Sequence, residues 1–430
     1  MADKWKTLPL EDCMAAIIDY RGKSPEKTTF GVPLVTAKIV KGGRIEKPEE
    51  FIAEADFDDW MRRGMPKPGD IVMTTEAPLG EVAQLDGRKV ALAQRVITLR
   101  GKPDVLDNTF LKFLLHSNPV QEELRSRGTG TTVVGIRQSE LRKISLTLPP
   151  LAEQKAIAAV LGTLDDKIEL NRRMNVTLEA MARALFQSWF VDFDPVRAKL
   201  DGRQPVGMDE ATAALFPDSF QSSEAGHIPK GWTIRPLSSL TRYLSRGIGP
   251  SYLERGGVCV LNQKCVREHR VDFSKSRRHD AAKKPINDRA LAIHDILVNS
   301  TGMGTLGRVA QMLDLPEVTI VDSHVTIVRA AADTDPFFLG INLTGREAEI
   351  EELGEGSTGQ TELSRTRLGA LKIVTPPLDL QKAFGTAVSP LLMRISNNEN
   401  QSRTLATLRD TLLPKLLSGE LSATSLRYED

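Results

Sequence analysis

The segment PPLAEQKAIAAVLGTLDDKIELNRRMNVTLEAMARALFQSWF, residues 149–190, decides the fold, because a segment of the same kind recurs at residues 376–417. In both copies a Pro-Pro-Leu sequence precedes apolar residues spaced alternately four and three positions apart. This spacing is typical of the seam of a coiled coil, where two helices pack along one stripe. The predicted seam positions are, in the first copy, Ile157, Leu161, Leu164, Ile168, Asn171, Asn175, Leu178, Ala182, Leu185 and Trp189, and in the second copy, Phe384, Val388, Leu391, Ile395, Asn398, Ser402, Leu405, Arg409, Leu412 and Leu416.

An amphipathic helix docked on a core gives a similar stripe, but it does not explain why both copies turn polar at the same two seam positions. Thirty-three residues of helix span roughly 50 Å at ~1.5 Å per residue. If the helices run antiparallel with full overlap, Trp189 faces Phe384 and Asn175 faces Asn398, so the polar residues form one middle layer. Pro390 and Pro414 lie inside the second stripe, and we expect a bend near Pro390.

The rest of the chain is also duplicated. Trp5, Pro9 and Leu10 recur 227 positions later as Trp232, Pro236 and Leu237, and Gln154-Lys155 recurs as Gln381-Lys382. The repeat predicts an α+β protein with two mixed α/β domains related by a pseudo-twofold axis and separated by two long helices that pair as an antiparallel coiled coil. The predicted divisions are a first globular domain at 1–148, a first long helix at 149–190, a connector at 191–229, a second globular domain at 230–375, a second long helix at 376–421 and a C-terminal tail at 422–430.

Short β-branched segments in each domain predict buried strands, and Gly/Thr/Ser loops lie between them. The segments Val90–Leu99 and Val318–Val328 are each predicted to be one strand, followed by helix starts at Asp107 and Asp335. Such loops have two interpretations: they are flexible connections between elements, or their backbone approaches phosphates closely and donates hydrogen bonds to them. On the second interpretation the candidate DNA contacts are Thr74, Thr75, Arg95, Arg127, Thr129, Thr131, Ser300, Thr301, Ser357, Thr358 and Gln360.

Charge is unevenly distributed, although the net charge is only +1. Residues 264–289 hold nine basic and four acidic side chains, whereas residues 44–59 hold two basic and seven acidic ones. A basic stretch can follow DNA phosphates, and it can equally be a solvated loop. The candidate phosphate contacts are Lys264, Arg267, Arg270, Arg277 and Arg278.

Several classes of site are not indicated by the sequence. There is no Gly-x₄-Gly-Lys-Ser/Thr nucleotide loop, no adenine-methyltransferase motif and no assembled nucleophile–histidine–acid set. Three cysteines form no disulfide framework, and the spacing of Cys259, Cys265, His269 and His279 does not match a zinc site. No apolar run approaches the ~18 residues of a membrane span. The first residues lack a signal-peptide stretch, so we expect a cytoplasmic protein.

Four segments of the chain carry a resemblance to a known family. They are Pro149-Pro150-Leu151-Ala152-Glu153-Gln154, Trp189-Phe190-Val191-Asp192-Phe193-Asp194-Pro195, His227-Ile228-Pro229-Lys230-Gly231-Trp232, and the closing stretch from Leu408 to Leu421. In combination they resemble the specificity subunits of type I restriction–modification systems, over essentially the whole chain. One departure is Leu380, which stands where that family usually has glutamate.

The resemblance implies a function and a set of partners. Each domain is expected to read one half of a split target in double-stranded DNA, with the helices as a spacer. Two methyltransferase subunits are expected to dock, bringing S-adenosylmethionine, and restriction/translocase subunits using ATP and Mg to join them. Catalysis then belongs to the partners, and this chain binds no cofactor. The alternatives are a coiled-coil scaffold with two protein-binding domains and no DNA role, or an enzyme with unrecognised motifs.

Overall fold

The computed structural model describes residues 5–356 and 361–423, and the chain divides into two units. Unit 1 runs from the start of the chain to Leu170 and resumes at Gln401, while unit 2 is Asn171–Asn400. Both boundaries lie inside long helices. Each unit therefore contains one globular body and a section of both helices.

Unit 1 is built on a four-stranded antiparallel sheet in the order β2-β10-β7-β8, defined below, with smaller sheets beside it. Its strands are β1 Lys6–Pro9, β2 Met14–Asp19, β3 Val32–Val35, β4 Val40–Lys41, β5 Arg44–Ile45, β6 Phe51–Ile52, β7 Ile71–Thr75, β8 Leu79–Gln84, β9 Ala91–Leu92, β10 Val96–Gly101 and β11 Ser145–Leu148. Its helices are α1 Leu10–Cys13, α2 Phe57–Trp60, α3 Asn108–His116, α4 Asn118–Ser126, α5 Gln138–Leu141 and the first part of α6 Leu151–Phe190.

Unit 2 repeats this arrangement, with a four-stranded antiparallel sheet in the order β15-β24-β21-β22. Its strands are β12 Phe220–Ser223, β13 Gly226–Pro229, β14 Thr233–Pro236, β15 Thr241–Arg246, β16 Tyr252–Leu253, β17 Val258–Leu261, β18 Val266–Arg267, β19 Arg270–Val271, β20 Arg277–His279, β21 Ile296–Asn299, β22 Val309–Gln311, β23 Thr319–Val321, β24 Val325–Ala330 and β25 Lys372–Thr375. Besides the second part of α6, its helices are α7 Asp194–Leu200, α8 Glu210–Ala214, α9 Pro336–Thr344, α10 Glu347–Glu352, α11 Arg365–Ala370 and most of α12 Leu378–Leu417.

The duplication extends to strand pairing. In unit 1 the first strand β1 pairs with the last strand β11, and in unit 2 β14 pairs with β25 in the same way. Each unit also contains a parallel strand pair, β3 with β9 and β17 with β23. Because the shared pattern includes parallel pairing, the repeat in sequence reflects a repeat in topology.

The strands predicted at Val90–Leu99 and Val318–Val328 are wrong as single elements. Each segment forms two strands, β9 and β10 in unit 1 and β23 and β24 in unit 2. The first of each pair joins a parallel strand, while the second joins the four-stranded sheet. The chain changes sheets at a polar turn, at Gln94-Arg95 and at Ser323-His324, which apolar periodicity does not reveal.

Buried ion pairs at equivalent positions hold each four-stranded sheet. Arg100 binds Asp70 through two hydrogen bonds of 2.7 Å, and Arg329 binds Asp295 through bonds of 2.6 and 2.7 Å. The aspartates are 1% and 0% exposed, so the bidentate guanidinium supplies the partner that a buried carboxylate needs. Asp70-Ile71 recurs in the sequence as Asp295-Ile296, and Val96–Arg100 as Val325–Arg329, so the repeat encodes one structural contact twice.

The repeated glutamine of the Pro-Pro-Leu segments anchors each long helix to its own globular body. Gln154 Oε1 accepts a hydrogen bond from the backbone N–H of Asp107, and Gln381 Oε1 accepts one from Asp335, each at 3.0 Å. Both aspartates cap the following helix through their side chains, which confirms the predicted starts of α3 and α9. In the connector, Asp209 caps the short helix α8.

The two long helices pack together as antiparallel partners, and their seam positions face inward. Every predicted seam residue is buried or half-buried. In unit 2 the rings of Trp189 and Phe384 lie 5.7 Å apart and Asn398 bonds Asn175, as the predicted register requires. In unit 1 Ile157 and Leu416 belong to one apolar cluster. The helix α12 is continuous through Pro390 and Pro414, so the bend expected near Pro390 does not interrupt it.

Candidate nucleic-acid interface

Each unit contains an open polar cleft at the end of the first strand of its four-stranded sheet. The clefts have volumes of about 380 Å³ in unit 1 and about 670 Å³ in unit 2. The unit 1 cleft is lined by Arg21, Gly22, Thr75, Glu76, Gln94, Arg95, Thr129, Val133, Gly135, Ile136 and Arg137. The unit 2 cleft is lined by Ser245, Arg246, Gly247, Arg289, Glu355, Glu362, Ser364, Arg365 and Thr366.

The two clefts are built from equivalent parts of the repeat. Arg21 Nη2 donates to the backbone oxygen of Ile136 at 2.8 Å, and Arg246 Nη2 donates to that of Leu363 at 2.6 Å. Both arginines precede a glycine that lines the same cleft. An arginine at the end of the strand (Arg246) or two residues beyond it (Arg21) therefore closes each cleft by binding a chain segment more than a hundred residues away.

The Gly/Thr loop of unit 1 is an ordered wall of its cleft. Thr129 and Gly135 exchange two backbone hydrogen bonds of 2.8 and 2.9 Å, so the loop between them closes as a small hairpin. Gly130 has φ +122°, and a Cβ there would lie 2.1 Å from the Val133 oxygen, so only glycine fits this turn. In unit 2 Glu355 pairs with Glu362 in the same way. The predicted contacts Ser357, Thr358 and Gln360 lie outside the described residues.

Both clefts combine cations with hydrogen-bond acceptors. Among the described lining residues, unit 1 has Arg21, Arg95, Arg137 and Glu76, and unit 2 has Arg246, Arg289, Arg365, Glu355 and Glu362. Arginine is suited to guanine O6 and N7, a carboxylate accepts from the cytosine amino group, and glutamine matches adenine. The linings therefore hold donor and acceptor groups of the kinds that can pair with base edges, together with cationic groups of the kind that can bind phosphates.

Three of the six candidates predicted in unit 1, Thr75, Arg95 and Thr129, line its cleft. Arg95 binds Glu76 at 2.9 Å across the cleft and keeps 55% of its side chain exposed. Thr131 is exposed on the loop. By contrast, Thr74 is fully buried and accepts from the N–H of Glu81, while Arg127 holds Glu123 and Glu140, so both stabilise the body of unit 1.

The candidate DNA contacts of unit 2 that the structure describes, Ser300 and Thr301, differ in burial. Ser300 is fully buried and bonds Thr326, and Thr301 Oγ1 lies 2.7 Å from His324 Nδ1. Thr301 also bridges to Glu362, which lines the cleft, so these residues support the wall rather than form its surface.

The basic stretch separates into exposed and paired side chains. Lys264 and Arg267 are exposed. Arg277 stacks over the ring of Tyr252 at 3.4 Å, and Arg278 binds Glu317 at 2.6 Å. Arg270 lies between two carboxylates, Glu179 and Glu399, on the long helices. Lys264 and Arg267 thus have the accessibility that a phosphate contact needs, while Arg270 has a different set of partners.

Sequence reasoning missed the arginines that define the clefts. Arg21 and Arg246 carried a detectable signal, because an Arg-Gly pair recurs near the end of a strand at a shift of 225 positions. Arg137 and Arg365 had no such signal, since they are exposed side chains near short helices. Their role follows only from the folding of distant segments around one cleft.

Within residues 5–356 and 361–423, no group of three or more His, Cys, Asp or Glu side chains is arranged to hold a metal ion. Cys259 and Cys265 are buried, and His279 accepts a hydrogen bond from Ser251. In the same part of the chain, no helix has an apolar stretch sufficient to cross a bilayer.

Comparisons with known proteins agree on one family. Residues 63–180 match the family model described as the type I restriction modification DNA specificity domain. The chain is 26% identical over 402 residues to the type I restriction enzyme MjaIX specificity subunit of Methanocaldococcus jannaschii, covering 92% of this chain and 88% of that protein. It is also 26% identical over 362 residues to the HindI specificity subunit of Haemophilus influenzae, covering 73% and 77%.

A solved structure has the same fold. The S subunit of a type I restriction–modification system from M. genitalium superimposes with a TM-score of 0.57 at 18% identity, over 96% of each chain. The sequence motifs, the duplicated topology with paired long helices, and the relatives agree. Over most of its length the chain is similar to specificity subunits of type I restriction–modification systems, and residues 63–180 match the model of their DNA specificity domain.

Proposed function

We propose that this chain reads a bipartite DNA target, with one half-site bound by the cleft of each unit. The observation that carries the proposal is the construction of the same arginine-closed cleft twice, by Arg21 in unit 1 and by Arg246 in unit 2. A reader of one continuous site needs one such cleft. Two clefts on two repeated bodies match a target in two parts, in the way that protein symmetry is mirrored by paired half-sites.

The clefts share their framework and differ in their surface groups, which supports two different half-sites. At equivalent positions of the repeat, Gly135 in unit 1 corresponds to Glu362 in unit 2, and Arg137 corresponds to Ser364. A change from arginine to serine, or the addition of a carboxylate, changes which base edges can be bound. The conserved framework then positions the DNA, and the variable groups specify the sequence.

The long helices act as the spacer in this proposal. Each contains 40 residues, so a straight helix of this length measures about 60 Å. A stiff connection raises the effective concentration of the second reader once the first has bound. The accepted gap between half-sites then becomes a property of protein geometry.

The helices also offer a repeated surface for partner subunits. The exposed face Thr177, Met181 and Ala184 on α6 corresponds to the exposed face Thr404, Leu408 and Thr411 on α12, at a shift of 227 positions. Met181 is 49% exposed and Leu408 45%, each flanked by small side chains at helical spacing. We assign these two faces to the docking of two methyltransferase subunits, one on each. S-adenosylmethionine, ATP and Mg belong to the methyltransferase and restriction subunits of that assembly.

The reading of half-sites is tested by one substitution in each cleft. Arg95→Gln and Arg365→Gln are assembled with methyltransferase subunits and assayed for methylation on a library of bipartite duplexes. Each is expected to relax base preference in one half-site only, by about 1–3 kcal/mol per lost base contact. The control Arg88→Gln removes an exposed arginine outside the clefts and leaves both halves unchanged. If the wild-type chain assembled with methyltransferase subunits does not bind duplex DNA, the proposal is wrong and a coiled-coil scaffold without a DNA role is the better interpretation.

Docking is tested by stoichiometry. Met181→Lys or Leu408→Lys places a charge in one face, because lysine is costly to bury in an apolar contact. Native mass spectrometry is expected to show two methyltransferase subunits on the wild type, one on each single variant and none on the double variant. Two subunits bound to the double variant would remove these faces as the docking sites.

A further inference from the structure

In unit 1 three charged side chains join the globular body to both long helices. Asp165 of α6 accepts hydrogen bonds from Lys112 Nζ of α3 at 2.5 Å and from Arg409 Nη1 of α12 at 2.7 Å. The three side chains are 16%, 11% and 27% exposed. Burial raises the pKa of the Asp165 carboxyl, but Lys112 and Arg409 outweigh burial and hold that pKa below its usual value. We call these residues the unit 1 triad.

Unit 2 has a triad of the opposite sign. Arg270 lies in the hairpin of β18 and β19, and its Nε is 2.9 Å from Glu399 Oε1 of α12 and 3.1 Å from Glu179 Oε1 of α6. A second nitrogen of the guanidinium also binds Glu179. The side chains of this unit 2 triad are between 21% and 29% exposed. One arginine therefore contacts both helices at once.

The hairpin that carries Arg270 is itself held on its other side. Its turn residues Glu268 and His269 both have positive φ, 49° and 61°, as a tight two-residue turn requires. His269 Nδ1 lies 3.3 Å from the carboxylate of Glu347 at the start of α10. The hairpin thus connects the body of unit 2, through α10, to the helix pair.

The two triads have the same plan but are not copies of each other. Each takes one residue from α6, one from α12 and one from the globular body. At the repeat shift of 227, however, Asp165 corresponds to Leu392 and Arg409 to Ala182. Since neither residue is conserved by the duplication, inheritance from a common module does not explain why both units acquired a three-way ionic contact.

Apolar contacts alone leave the orientation of each body weakly determined. The helix sections pack on their bodies through apolar clusters that include Ile157 and Leu161 in unit 1, and Ala182 and Trp189 in unit 2. Such packing is favourable in many orientations because the hydrophobic effect is non-directional. Partly buried ion pairs add little net stability but demand a defined geometry. Each triad lies about one helical turn from its apolar contact, on the side nearer the middle of α6.

We propose that the two triads are orienting clamps, each fixing the angle at which a recognition body sits on the helix pair, and that together they set the half-site separation the complex accepts. Their members are positioning residues. The clamp role concerns each unit by itself, whereas its consequence for half-site separation rests on the proposed function.

The clamp role is tested first without DNA. In unit 2, spin labels are attached at Met181→Cys on α6 and at Lys283→Cys on the body. Pulsed electron–electron double resonance then measures the distance between the two labels. The triple variant Arg270→Met, Glu179→Gln, Glu399→Gln removes all charges of the triad together, so no charge of the triad is left without its partner. Arg183, which also pairs with Glu179, is 58% exposed and therefore solvated. We expect one narrow distance distribution in the wild type and a broadened one in the triple variant. The control Glu352→Gln changes net charge equally at an exposed position and keeps the narrow distribution. A narrow distribution in the triple variant overturns the clamp.

The unit 1 triad gives an independent version of this measurement if the unit 2 variant does not fold. The triple variant Lys112→Met, Asp165→Asn, Arg409→Met carries labels at Lys38→Cys on the body and Asp166→Cys on α6, both exposed positions. Broadening supports the clamp, and an unchanged width contradicts it.

The consequence for DNA is then measured with the assembled methyltransferase. Methylation rates are compared on duplexes of native spacer length and on duplexes one to three base pairs longer or shorter. The preference for native length is expected to fall about tenfold in the triple variants, within the ~5–150-fold range of typical coupling between sites. Affinity for a single half-site should not change. A wild type that methylates no duplex refutes the proposed function alone, since the label distances still judge the clamp. Unchanged spacer preference beside broadened distances refutes the role in half-site separation.

Discussion

The polar residues in the seam of the long helices give the sharpest test of the fold. In unit 2 Asn398 Nδ2 donates to Asn175 Oδ1 at 2.8 Å, and Asn175 Nδ2 donates to the backbone oxygen of Ile395 at 3.4 Å. Both side chains are 2% exposed. Asn171, fully buried, donates to the backbone oxygen of Asn398 at 3.3 Å, a bond that substitution of the Asn398 side chain leaves in place. The pair Asn175–Asn398 can therefore be changed without removing the bond of Asn171.

The magnitudes follow from the burial of this pair. Asn398→Leu removes the donor to Asn175 Oδ1 and leaves a buried acceptor without it, at a cost of about 1–3 kcal/mol. Replacing both residues with leucine removes both partners together, which is close to neutral for the hydrogen bond, and each buried leucine contributes up to about 1.5–3 kcal/mol. We expect the double variant to be as stable as the wild type or more stable. One kcal/mol corresponds to about 2–4 °C in Tm for a unit of this size.

The assay is a double-mutant cycle by thermal and urea unfolding. Asn175→Leu, Asn398→Leu and the double variant are compared with Asn397→Leu, an exposed neighbour that should stay within about 0.5 kcal/mol of the wild type. The expected coupling between the two asparagines is about 0.5–3 kcal/mol. If the effects of the two single substitutions on the free energy of unfolding are strictly additive, Asn175 and Asn398 do not interact as a buried pair. Replacing Asn171, Asn175, Asn398 and Ser402 together with leucine is expected to keep the thermal stability and to broaden the range of DNA spacer lengths that are methylated. If the preference for one spacer length is unchanged, other contacts set the register of the two helices.

The remaining predictions concern the sheet, the triad and the modular use of the two bodies. Arg329→Met leaves the fully buried carboxylate of Asp295 without its ion-pair partner and should lower the free energy of unfolding, measured by urea denaturation, by about 3–5 kcal/mol. Arg267→Met, at an exposed position, should lower it little, and equal effects of the two variants would contradict the structural role of the Arg329–Asp295 pair. Asp165 faces Lys112, Arg409 and His116, and its pKa is lowered in the folded state, so its stabilising contribution is present above its unfolded pKa and is lost as pH falls through the folded value. Asp165→Asn should therefore flatten the acid limb of Tm against pH, and an unaltered limb would count against the triad. Lys264→Met and Arg267→Met should each lower the salt slope of DNA binding by about one unit if they contact phosphates, and an unchanged slope would make this stretch a solvated loop. Exchanging residues 1–148 for those of a relative should change one half of the methylated site, and a change in both halves would contradict modular reading.

The sequence by itself determined the features that depend on local spacing. The duplication, the 4-3 seam and its polar residues, the antiparallel register of Trp189 with Phe384, and the caps at Asp107 and Asp335 can all be derived from patterns in the sequence. They are accessible because helix periodicity and capping act over a few residues, and because a repeat exposes the positions that both copies need.

Only the tertiary structure decided which side chains meet across the fold. Arg21 reaches Ile136 across 115 residues of sequence, and Arg246 reaches Leu363 across 117, so no local pattern indicates the clefts that they close. Arg270 reads in the sequence as one more cation of a basic stretch, yet the fold places it between Glu179 and Glu399. Similarly, the change of sheets at Gln94-Arg95 follows from where partner strands lie. The sequence gives the charge of a side chain, but the packing of distant segments determines which group that side chain contacts. Only the tertiary structure therefore shows whether an arginine is available to bind DNA or is held in an ion pair that stabilises the fold.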